Sequence, residues 1–129
     1  MMSPGDFLPA FAGPFICTGQ LVAPDAGTLV RLLLLAPLLE EWVVRAGLQE
    51  WLIRRALAGG REATAGTAPV FWSATAFSLL HLGSGWQAVL LVLPPGLALA
   101  MLYQRGRDWR ACALLHCGFN ALAIAGCAP

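Results

Sequence analysis

Eight consecutive apolar residues, Leu32 to Leu39, run straight into two carboxylates, Glu40 and Glu41, with no polar spacer between them. The run belongs to a helical pattern over Thr28 to Leu57 that closes on Arg54-Arg55, with Pro37 expected to bend it. Thirty residues reach about 45 Å, more than a hydrocarbon core, so the charged second half of this helix must emerge or tilt. Glu41 and Arg45 are four apart and stack on one helix face, where they can pair. Glu40 points about 100° away and is free to face another helix. A charge this deep in apolar sequence is expensive and marks function, so the fold has to bring it partners from other segments.

Composition says what surrounds that helix. Of 129 residues, 58% are hydrophobic and 12% charged, and the mean hydropathy is +0.69, well above an ordinary soluble domain. A span needs about 20 mostly apolar residues, so the length admits four or five helices in a single integral membrane domain, residues 1–129, with the motif-bearing core at about 28–128. The net charge of +1 and eight dispersed arginines form no basic stripe, which excludes nucleic acid as a partner. The absence of lysine beside abundant Ala, Gly, Leu and Arg suits a GC-rich genome and hence a bacterium. Cys17, Cys112, Cys117 and Cys127 show no CxxC spacing, so they read as buried thiols rather than a zinc ribbon or redox pair. The terminus Gly126-Cys127-Ala128-Pro129 is not a prenylation box, because the cysteine is third from the end, not fourth.

Phe7 to Ala23, broken by Pro9, Gly13 and Pro14, is a candidate N-terminal span without the basic start of a cleaved signal. After the Gly59-Gly60 to Gly66 loop, a third segment runs from Pro69 to Leu82 with Thr67 as a cap. A fourth covers Trp86 to Tyr103 around Pro94-Pro95-Gly96, and the last runs from Arg110 to Ala128. Arg54, Arg55 and Arg61 are two crossings from Arg105, Arg107 and Arg110, so both arginine groups fall on one side, which the charge rule makes cytoplasmic. The expected fold is an all-α, polytopic transmembrane bundle of four core helices plus the N-terminal span. Its expected location is the bacterial inner membrane.

Both histidines of the chain fall inside these segments. Phe77 and His81 share a face at i, i+4, and His116 and Asn120 repeat the spacing, with Gly118 between them small enough to admit a neighbouring helix. Singly, each has a structural reading: neutralised interfacial charges, a packed histidine, a helix–helix hydrogen bond.

EExxxR, FxxxH and HxxxN, in that order on successive helices, resemble the CPBP family of CAAX-protease and bacteriocin-processing glutamic intramembrane endopeptidases. The resemblance covers about residues 30–125, including the Gly96 to Trp109 stretch. It implies that Glu40 and His81 hold and activate a water, with Glu40 as general base. His116 and Asn120 donate to the oxyanion, and Glu41, Arg45 and Phe77 orient the site. No cofactor is implied. Zinc held by the two histidines and a glutamate is the competing mechanism, but there is no HExxH, and Asn120 is a better oxyanion donor than zinc ligand.

The substrate class implied is a membrane-anchored protein or peptide: a prenylated protein, a C-terminal sorting or anchor signal, or a bacteriocin-type precursor. The bilayer is the other partner. A second copy is a third, because family members carry more helices before the first motif than the single candidate span here. Two other classes stay open on the residues alone: an immunity or scaffold protein that binds a partner in the same pocket, and a proton-conducting transporter. The one-sided cluster with Asn120 favours hydrolysis over transport, and no inverted repeat is present.

Overall fold

The computed structural model describes residues 25–61 and 66–127, all helix or short connection, with no strand among them. The candidate span 7–23 and Cys17 lie outside the described residues.

Helix α1, residues 26–58, is continuous but not uniform. Asp25 caps its start, accepting from the Thr28 N–H at 2.7 Å. That bond holds the Asp25 carboxyl below the usual carboxylate range. An α-turn, Ala26–Val30, widens into a π segment, Arg31–Leu35, before α-helix resumes at Ala36–Glu41 with Pro37 in its first turn. The Ala36 N–H reaches the Arg31 carbonyl five residues back. A wider turn thus precedes Pro37, which lacks an N–H and crowds the preceding carbonyls. A second π segment, Trp42–Gln49, leads to the last α-helical stretch, Glu50–Ala58. Gly60, at φ 77°, ends the helix. Its N–H binds the Leu57 carbonyl and the Arg61 N–H binds that of Ala56, a Schellman pair that only a residue tolerant of left-handed backbone closes without strain.

Helix α2, Thr67–Leu79, is capped by Gly66 and not by Thr67, which is its first helical residue. It stops two residues before His81, short of the Leu82 expected from sequence. A 3₁₀ turn, Leu82–Ser84, and Gly85 at φ 94° redirect the chain. Helix α3, Trp86–Gly106, runs through Pro94 and Pro95 and outlasts the expected Tyr103. It closes on Arg107 in left-handed backbone at φ 55°. Asp108 then accepts from the Arg110 N–H at 2.9 Å and starts helix α4, Trp109–Cys127.

The α2–α3 packing depends on Gly96. A Cβ there would lie 2.8 Å from Phe77 Cδ1, closer than a real Cβ comes to a neighbour. Gly118, expected to serve this purpose on α4, is exposed with open space beyond it. The sequence expectation for Gly118 is therefore corrected: the close-approach glycine is on α3.

The bundle buries a polar cluster beside its apolar core and exposes many large apolar side chains. Glu40, Glu41, Arg45, Gln49, Ser73, Ser78, His81, His116 and Asn120 are buried, around a core of Val44, Ile53, Phe77, Val92, Leu99, Tyr103 and Cys112. Leu34, Leu39, Trp42, Trp72, Leu90 and Leu122 are exposed, as is Leu114 at 76%. Among the described residues, α3 is the one helix long and apolar enough by itself to cross a membrane.

Candidate active site

The site grows from the buried face of α1. Within its second π segment, Arg45 and Gln49 follow Glu41 at intervals of four and all three are buried. The Arg45 guanidinium, fully buried, spends its planar set of donors on three helices. Nε meets Glu41 Oε2 at 2.8 Å, as the sequence spacing anticipated. Nη1 donates to Gln49 Oε1 at 3.2 Å and Ser73 Oγ at 3.1 Å, and Nη2 donates to the Gly96 carbonyl at 3.2 Å. Gln49 extends the lattice by donating to the Ala100 carbonyl at 2.8 Å and to Gln104 Oε1 at 3.3 Å, and its Oε1 accepts from Ser73 at 3.0 Å. The guanidinium carbon also lies 5.3 Å from the Phe77 ring centroid.

One carboxylate oxygen of Glu41 faces this lattice and the other faces α4, where His116 Nδ1 lies 3.0 Å from Oε1. On the far side of the same imidazole, Nε2 is 3.8 Å from Glu40 Oε2. His116 thus sits between the two carboxylates. Phe77 packs against both imidazoles, its ring centroid 5.3 Å from that of His81 and 5.2 Å from that of His116. His81, just past the end of α2, has Nδ1 3.1 Å from the Phe77 carbonyl. A carbonyl only accepts, so that nitrogen carries a hydrogen, and in the neutral ring Nε2 is bare. No hydrogen bond joins His81 to Glu40, and the imidazole nearest the Glu40 carboxylate is that of His116.

Asn120 is one turn beyond His116, where its Nδ2 donates to the Leu32 carbonyl at 2.8 Å. One of its two N–H donors is therefore engaged with backbone beside the first π segment. Among the described residues, three buried side-chain atoms make no hydrogen bond: Glu40 Oε2, Asn120 Oδ1 and Ser78 Oγ. In a well-packed interior such atoms are exceptions that call for an explanation.

The three motifs thus converge in space. Sequence reasoning missed Gln49, Ser73, Ser78 and the Gly96 carbonyl. Gln49 was signalled by the same four-residue step that links Glu41 to Arg45, and Ser73 by its place one turn before Phe77. Among the described residues, no three of His, Cys, Asp and Glu are grouped as a metal ligand set. Cys112, fully buried, gives its thiol to the Leu99 carbonyl at 3.5 Å.

A separate cluster ties the arginine-bearing end. Glu50 accepts from Arg107 Nη2 at 2.6 Å and Nε at 2.9 Å, from Arg54 at 2.8 Å and from the Tyr103 hydroxyl at 2.8 Å. It holds the Arg107 guanidinium, in the turn between α3 and α4, above its ordinary range. One arginine from each group, Arg54 and Arg107, thus meets on Glu50.

Fold and site together define a helical bundle that keeps a carboxylate–imidazole cluster inside an apolar shell. A family model, type II CAAX prenyl endopeptidase Rce1-like, matches residues 22–122, and the chain belongs to that family, which is membrane-embedded. By family the chain is a protease. No curated protein and no solved structure matched it.

Proposed function

We propose that this protein is a multi-pass intramembrane endopeptidase that hydrolyses a peptide bond of a membrane-anchored protein or peptide with water activated by Glu40. The observation that carries the reading is Glu40 Oε2, a buried carboxylate oxygen with no hydrogen bond inside the chain, facing His116 Nε2 at 3.8 Å. Glu41, by contrast, is bound on both oxygens and is spent on orientation. Two adjacent carboxylates in such different settings divide the labour: one fixed, one free to take a proton.

In this mechanism Glu40 is the general base and His81, with its bare Nε2, accepts the water's second hydrogen. His116 and Asn120 line the side where the tetrahedral oxygen forms. Glu41, Arg45 and Phe77 position the imidazoles. Hydrolysis on this plan needs no metal, and activity should survive chelator.

A buried polar cluster beneath many exposed large apolar side chains supports a bilayer setting, because in lipid charged groups turn inward. We place the arginine end on the cytoplasmic side of a bacterial inner membrane. The proposed substrates are C-terminal sorting or anchor signals and prenylated or bacteriocin-type precursors.

The test is purified full-length protein in nanodiscs with a fluorogenic S-farnesylcysteine peptide and a membrane-anchored sorting-tail peptide as probes. Cleavage of either by wild type, reduced at least a hundredfold in Glu40→Gln, is the expected result. Undiminished cleavage by the variant contradicts it.

A further inference from the structure

The surroundings of His116 point to a task beyond lining the oxyanion side, and the argument rests on the endopeptidase reading above. We infer that His116 is the proton carrier between Glu40 and the leaving amine.

Nδ1 of His116 faces Glu41 Oε1 at 3.0 Å, and the other oxygen of that carboxylate is paired with Arg45 at 2.8 Å. A carboxylate held by a guanidinium is an acceptor, so Nδ1 carries a hydrogen, and in the neutral imidazole Nε2 is then bare. That bare nitrogen faces Glu40 Oε2 across 3.8 Å, about 1 Å longer than a hydrogen bond. An unprotonated nitrogen cannot donate to an oxyanion. His116 becomes a donor only after receiving a proton, and the acid beside its Nε2 is Glu40 once Glu40 has deprotonated water.

The steps then balance. Glu40 takes one proton from water as the water oxygen bonds to the scissile carbonyl carbon and the carbonyl pair moves onto its oxygen. Glu40 passes that proton to His116 Nε2 and returns to carboxylate, and the new imidazolium is offset by Glu41. The Nε2–H stabilises the oxyanion and then protonates the amide nitrogen. The C–N bond breaks, the oxyanion pair re-forms the carbonyl, and His116 is neutral again. The products are an acid and an amine, with no other reactant. The arrangement makes Glu41 a positioning residue that fixes the tautomer and Arg45 the group that holds Glu41 in place, the role second partners play for functional histidines.

The separating experiment compares two probes of one sequence: the S-farnesylcysteine peptide with an ordinary amide at the scissile bond, and its analogue with a thioester there. An amine must be protonated to leave, whereas a thiolate, with a pKa of about 8.5, leaves without help. For His116→Gln that keeps the wild-type melting temperature, the expected loss of kcat/KM on the amide exceeds that on the thioester by at least a hundredfold, within the usual range of general acid catalysis. Equal losses on both probes mean that His116 acts as an oxyanion donor alone and overturn the inference. A second reading uses the wild-type protein without substrate. ¹⁵N NMR of its two histidines, assigned with His81→Asn, should show a neutral His116 ring with the hydrogen on Nδ1, and a doubly protonated ring at rest overturns the inference. Glu40→Gln cleaving the amide as fast as wild type overturns the endopeptidase reading itself, a failure distinct from the other two.

Discussion

Arg45 binds four partners, Glu41, Gln49, Ser73 and the Gly96 carbonyl, from three helices. Cutting it back to Ala strands the Glu41 carboxylate in an interior where an uncompensated charge costs about 3–5 kcal/mol. Arg45→Ala is therefore expected to unfold at markedly lower denaturant than wild type in a micelle unfolding titration. Gln49→Leu should lose less, about 1–3 kcal/mol, because it leaves neutral groups unpaired. Equal losses for the two would show that the charge is not what the lattice serves. The Glu41–Arg45 pair was legible in sequence because helix geometry alone brings residues four apart together. The remaining partners were not, since Ser73 and the Gly96 and Ala100 carbonyls reach Arg45 and Gln49 only through the packing of α2 and α3 against α1. Asn120 was legible as a neighbour of His116 on one helix face, but its bond to the Leu32 carbonyl depends on how α4 crosses the first π segment.

The packing of whole helices turns on where small residues fall. Gly96 lets α3 touch Phe77, and Phe77 in turn packs against both imidazoles. Gly96→Leu should cost about 1–3 kcal/mol through overpacking and displace Phe77, so activity should fall more than stability. Gly118→Leu, facing open space, should change stability by less than about 0.5 kcal/mol. Melting temperatures of the two variants check the contrast, and a reversed order would contradict this packing. Nothing in the local sequence separates the two glycines: each sits among apolar residues on a helix, and which one faces a neighbour is decided by the rotation of that helix in the bundle. The proline effects were half-legible in the same way. Pro37 announced a disturbance in α1, but whether the backbone bends or widens depends on how the flanking turns are held.

For the molecule as a whole, helix number and order followed from apolar segments and glycine-rich breaks, and four helices are present among the described residues. The sequence overstated α2, which ends at Leu79 because His81 and the following 3₁₀ turn leave the helix. Its 13 residues reach only about 20 Å, too short alone for a hydrocarbon core of about 30 Å. Pairing with the longer α3 is what places His81 within the bundle. The Glu50 cluster joins α1 to the α3–α4 turn, which brings Arg54 and Arg107 together at one end. On the proposed orientation, with that end cytoplasmic, alkaline phosphatase fused after residue 61 should be inactive and after residue 84 active. The reverse pattern would invert the orientation, and equal activity at both points would contradict a crossing by α2.

The most direct measurement is a single turnover in ¹⁸O-labelled water, using wild-type protein and Glu40→Gln in nanodiscs with the farnesylated peptide. If Glu40 activates water, the label enters the new carboxyl terminus of the product in the first turnover, none enters Glu40, and Glu40→Gln yields no labelled product on the same timescale. Label recovered in the Glu40 side chain, or labelled product formed equally fast by the variant, would contradict a water-activating role for Glu40.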